Sequence, residues 1–127
     1  MSVPLPDTMN PTRLFSLLTD PAWEHDAAVL AFSDGAYEYL LRFCEVNRNG
    51  LIERIEKAGV SFPTPILIHR ISRLLLNKWD QEKDFRFLNL LYKFKKKRYL
   101  DHFPNDAASN ALRVQLDQTL SRELSHD

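Results

Sequence analysis

Apolar residues along this chain recur mainly every three or four positions, the spacing of one face of an α-helix. In residues 34–47, Ala36, Tyr37, Tyr39, Leu40, Phe43 and Cys44 share one side, and Glu38, Arg42 and Glu45 share the other. Glu38 and Arg42 are spaced to pair, as are Glu53 and Lys57, each pair worth about 0.3–0.5 kcal/mol. In 50–58, Leu51, Ile52 and Ile55 point inward. The last segment sets Ala108, Leu112, Leu116, Leu120 and Leu124 in a row four apart, the docking edge of a terminal helix.

Breaks in this periodicity coincide with capping chemistry. Asn10-Pro11, Asp20-Pro21 and Thr64-Pro65 each place a side-chain oxygen before a proline. The oxygen takes an orphan N–H, and proline at the first helical position gives up no bond it needed. Gly59 follows a segment ending near Ala58, where a left-handed residue is wanted. Asn49-Gly50 is a hairpin pair in other settings, but its flanks are helical in pattern, so it reads as a helix stop. With only three glycines in the chain, tight β-turns are scarce. The pattern predicts helices near 11–18, 21–32, 34–47, 50–58, 64–79, 83–100 and 106–124. Residues 1–10 read as an N-terminal arm and 60–63 as a linker, with 11–127 a single all-α bundle of five to seven helices.

The two longest central segments are basic. In 64–79, Ile68, Ile71, Leu74, Leu75 and Trp79 face one way and Arg70, Arg73 and Asn77 the other, with His69 at the margin. In 83–100, Phe85, Phe87, Leu88, Leu90, Leu91, Tyr92, Phe94 and Tyr99 cover a broad apolar arc. Opposite them stand Arg86, Asn89, Lys93, Lys96 and Lys97. Lys95 and Arg98 fall on the apolar side in the last turns, where long stems reach water past apolar neighbours. The stretch "YKFKKKRYL" (92–100) thus separates into core rings and a cationic stripe. This segregation argues against bases stacking on exposed rings. A solvated helix end explains it as well, since cations there complement the macrodipole.

Composition adds the scale. The chain has 127 residues, enough for one domain with a real core. Seventeen basic and seventeen acidic side chains cancel, which excludes a simple polycation. The cancellation hides segregation: residues 61–100 carry ten basic and three acidic groups, against five and nine in 1–60 and two and five in 101–127. Such asymmetry steers charged partners or binds a domain across its own surfaces. Cys44 stands alone, so no internal disulfide is expected, and a reducing, cytoplasmic setting fits. The opening "MSVPLPDTMN" lacks the basic and apolar regions of a signal peptide, and no apolar run approaches a membrane span.

Catalytic signatures are missing from the sequence. It contains no Cys-x-x-Cys or His-Glu-x-x-His spacing, no second Glu-x-x-His to pair with Glu123–His126, and no glycine-rich phosphate loop, so neither a metal nor another cofactor is expected. Cys44 lies on an apolar face and reads as a buried, inert thiol. His25-Asp26 resembles the metal-binding dyad of HD-type helical phosphohydrolases. That family also needs an earlier His, and none precedes His25, so capping or solvated roles are expected.

These features predict a non-enzymatic helical interaction protein: an adaptor, an immunity-type inhibitor or an accessory subunit. It would bind an acidic protein surface through Arg70, Arg73, Asn77, Arg86, Asn89, Lys93, Lys96 and Lys97. This expectation requires the two stripes to lie on one surface. The alternative is a nucleic-acid-binding regulator using helix 83–100, which the acidic flanks and the lack of a helix-turn-helix glycine turn oppose. A third class, a small enzyme with an anion site at His69 and Arg73, requires a cleft there.

Overall fold

The computed structural model describes residues 11–19, 33–45, 50–59 and 62–124. These residues are all-α, with no strand among them. The chain divides into two compact units, Met1–Val60 and Ser61–Asp127. The helix expected over 21–32, the His25-Asp26 dyad, the arm 1–10 and the Asn10-Pro11 and Asp20-Pro21 caps lie outside the described residues, wholly or in part.

The first unit contains α1 (Pro11–Leu18), α2 (Asp34–Cys44) and α3 (Gly50–Lys57). Ser33 caps α2 by accepting the N–H of Ala36 at 3.2 Å. The helix stops at Cys44, short of the expected 47. Leu14, Phe15 and Leu18 of α1 are buried, as are Tyr37, Leu40, Leu41, Phe43 and Cys44 of α2 and Leu51 and Ile55 of α3. Phe43 meets Phe15 edge-on at 5.6 Å between ring centroids, and Arg54 lies over its face at 4.7 Å. Burial pushes the Cys44 thiol far above its ordinary range, so it is held protonated and unreactive. Glu53 and Lys57 pair at 3.2 Å as their spacing predicts. Gly59 turns the chain at φ +68, where a β-carbon would be strained.

The second unit contains α4 (Thr64–Glu82), α5 (Phe85–Lys96), a 3-10 turn at Tyr99–His102, and α6 (Ala107–Leu124). Thr64 is the first helical residue rather than the cap. Pro63 precedes it in extended conformation, with no side-chain cap bond. α4 runs one turn beyond the expected Trp79. Lys83 ends it in left-handed conformation (φ 53), donating its N–H to the Trp79 carbonyl at 2.7 Å. Asp84 then caps α5, accepting the N–H of Arg86 at 3.0 Å, so two residues join the helices. α5 ends at Lys96, four residues before the expected 100. Arg98 adopts φ 62, and Tyr99 and Leu100 continue in the 3-10 turn. Asp106 accepts the Ser109 N–H at 2.7 Å and so caps α6.

The core of this unit follows the predicted rows. Ile68, Ile71, Leu74, Leu75 and Trp79 of α4 are buried. So are Phe87, Leu88, Leu91 and Phe94 of α5, and Leu112, Leu116 and Leu120 of α6. Each such side chain contributes about 1.5–3 kcal/mol through removal from water. The ends of the α6 row differ, Ala108 being exposed and Leu124 half-buried. No described helix is long and apolar enough to cross a membrane.

Candidate functional site

Two surfaces of the second unit hold the residues singled out by the sequence, Arg70 apart. The first is the outer face of α5. Arg86, Asn89, Lys93, Lys96 and Lys97 are all exposed there. Arg86 is held by its own helix cap: its terminal nitrogen meets the Asp84 carboxylate at 2.7 Å. The same contact holds the Asp84 carboxyl below its ordinary range. Lys93 and Lys96 stand in the last turn of α5 and Lys97 at its cap, where the carbonyl end of the helix favours cations. Lys93, Lys96 and Lys97 carry no ion pair among the described residues. Lys95 instead ties α5 to α6 through Asp117 at 3.0 Å, and Arg98 pairs with Asp101 at 2.9 Å.

Two rings expected in the core belong to this exposed face. Phe85 is 54% exposed and Tyr92 42%. The reason is geometric. The covered arc of α5 takes in Phe87, Leu88, Leu90, Leu91 and Phe94, and it is narrower than the arc of apolar residues. Phe85 and Tyr92, seven residues apart, fall at its edge beside Asn89 and Lys96. Phe85 leans on Trp79 at 4.9 Å, and Lys96 sits 5.6 Å from the Tyr92 ring centroid. Tyr99 has left the helix and stands half-buried against Phe94 at 5.3 Å. Cations and rings are therefore neighbours on α5, contrary to the expected segregation.

The second surface is a groove of about 390 Å³ walled by α4 and α6. Arg73 and Asn77 line it with His69, Leu76 and Asp80. Ala108, Ala111, Leu112 and Gln115 face them from α6. None of Arg86, Asn89, Lys93, Lys96 or Lys97 lines this groove, so it joins the α4 stripe to α6 rather than to the α5 stripe. Arg70 lies over the Phe62 ring at 5.0 Å.

His69 is fixed at one end of the groove. Its Nδ1 lies 2.8 Å from the Ser109 hydroxyl, and its ring tilts against Phe103 at 5.4 Å. Burial lowers its affinity for a proton. Asp106 opposes that shift, and Arg73, Arg70 and Arg113 reinforce it. Asp106 is held below the ordinary carboxylate range, chiefly by the Ser109 backbone N–H. His69, Ser109 and Asp106 are the residue types of a hydrolytic triad in the wrong order. The carboxylate bears on Ser109 rather than on the imidazole, and Ser109 is only 1% exposed. The arrangement orients a histidine and does not create a nucleophile.

Sequence reasoning passed over Ser109, Asp106, Asp80, Gln115 and Arg113. The Asp-x-x-Ser spacing at 106–109 is a legible cap signal. Arg113 donates to the carbonyls of Leu100 at 3.0 Å and Phe103 at 3.1 Å, an arrangement no local pattern announces. Among the described residues, no three His, Cys, Asp or Glu side chains gather to hold a metal. Compared with known proteins, the chain matches no family model, no curated protein and no solved structure.

Proposed function

We propose that this chain is a non-enzymatic interaction protein that captures an acidic protein surface on the outer face of α5, as an adaptor, inhibitor or accessory subunit does. The observation that carries this reading is the exposure of Phe85 and Tyr92 among Arg86, Asn89, Lys93 and Lys96. Interface centres are enriched in aromatic residues and Arg, whereas a purely solvated helix face has no use for exposed rings. The lysines supply long-range attraction and association rate, and the rings supply affinity once water is excluded. The excess of basic residues in 61–100 favours an acidic partner.

The test is capture from the native host on the immobilised chain, with bound proteins and nucleic acid both identified. Reversing Arg86→Glu together with Lys93→Glu should abolish capture of an acidic protein while leaving the thermal midpoint nearly unchanged. Tyr92→Ala should weaken the same complex by about 30-fold, on the order of 2 kcal/mol for a buried aromatic anchor. Undiminished capture by the reversed protein would remove α5 as the site. Binding to duplex DNA or RNA that falls steeply with salt, with no acidic protein retained, would replace this reading with nucleic-acid binding.

A further inference from the structure

The α4–α6 groove carries opposite charges toward its two ends. His69 and Arg73 stand toward one, and Asp80 follows Arg73 by seven residues toward the other. Two helical turns separate these positions, a rise of about 10 Å along the axis. Near His69 the Asp106 carboxylate opposes the arginines Arg73, Arg70 and Arg113, and of these charged groups only Arg73 lines the groove. Asp80 is exposed and carries no ion pair among the described residues. The groove is open because α6 presents Ala108 and Ala111 along it, both exposed.

His69 is held at its end of the groove by the Ser109 hydroxyl, 2.8 Å from Nδ1. A simple anion would meet the Asp80 carboxylate. A simple cation would meet Arg73. An apolar molecule would desolvate the polar lining and return no hydrogen bonds. A molecule with an acid at one end and an amine at the other meets complementary charge at both.

We propose that this groove binds a small amphoteric molecule, its acid group on Arg73 and its ammonium on Asp80, with Asn77 and Gln115 hydrogen-bonding the stretch between. The volume of about 390 Å³ lies within the range of small-molecule sites. The site is independent of the α5 surface and stands or falls separately from it.

The experiment titrates the ¹⁵N-labelled full chain with 6-aminohexanoate, and with hexanoate and hexylamine as single-ended controls. The amino acid should shift amides of α4 between His69 and Asp80, and of α6 between Ala108 and Gln115, along one saturable curve. Each control should bind at least about tenfold more weakly, as should Arg73→Gln and Asp80→Asn, because each removes one charged contact. Ala111→Leu, at an exposed helical position, should fill the groove and abolish binding with the thermal midpoint preserved. The proposal is overturned by non-saturating shifts up to about 50 mM, by equal binding of either control, or by full binding to folded Ala111→Leu.

Discussion

Arg113 is the side chain on which the 3-10 turn depends, and its removal should be felt through the whole second unit. Its guanidinium donates Nε–H to the Leu100 carbonyl and a terminal N–H to the Phe103 carbonyl. Another terminal N–H goes to the Asn110 side chain, and the group lies 5.5 Å from the Phe103 ring centroid. Hydrogen bonds from a charged donor contribute about 1.5–3 kcal/mol each when buried. Arg113 is half-buried, so water replaces part of what is lost, and the lower end applies. Two carbonyl bonds then sum to about 3 kcal/mol for Arg113→Ala, with the contact with Phe103 adding little. For a domain of this size that is a fall of about 12 °C in thermal midpoint. Arg113→Lys supplies a point charge instead of a fork, so it should recover at most half of the loss. The assay is urea unfolding followed by Trp79 fluorescence in a Trp23→Phe background, which reports on the second unit. Arg122→Ala, whose partner is the neighbouring Glu123, is the control and should change stability by less than about 0.5 kcal/mol. A loss for Arg113→Ala no larger than the control would refute the view that this guanidinium holds the turn to α6.

Two further predictions concern the joint between α4 and α5. Lys83 occupies φ 53, a region that penalises a β-branched side chain, so Lys83→Gly and Lys83→Val should differ in unfolding free energy by about 1–2 kcal/mol in favour of glycine. Equal stabilities in urea titration would contradict this. Asp84→Ala removes the α5 cap and should lower stability by about 1 kcal/mol at neutral pH. Because the folded carboxyl titrates below its ordinary value, its contribution is complete above the unfolded value near pH 4 and disappears as pH falls through the folded one. The gap between wild type and Asp84→Ala should therefore close below about pH 4, and a gap that persists at lower pH would assign the cap's effect to something other than the charge.

Much of this fold was legible because its signals are local. The rows at Ile68, Ile71, Leu75 and Trp79, and at Leu112, Leu116 and Leu120, are buried as their period requires. Helix ends were less legible because two of them are set by side chains in conformations that pattern disfavours. Lys83 and Arg98 both adopt positive φ, where glycine or asparagine is the usual signal. α5 is therefore shorter than its apolar and basic run, and Tyr99 lies beyond its end.

The extent of the candidate surface was not legible for a different reason. A helical wheel assigns a residue to a face, but neighbours decide how wide the covered face is. On α5 the covered arc leaves Phe85 and Tyr92 outside, although both continue its apolar row. On α4, the direction from which α6 approaches decides that Arg73 and Asn77 border a groove, and no period in the sequence encodes that approach. Both points bear on the proposed function. α5 presents exposed rings beside its cations, and α4 borders a groove lined by charges of both signs. A macromolecular partner is suited to the first, because exposed rings gain only when a broad surface excludes water. A small ligand is suited to the second, because fixed opposite charges discriminate by length and by the sign at each end. Charge reversal on α5 and filling of the groove at Ala111 therefore test the two proposals separately within one chain.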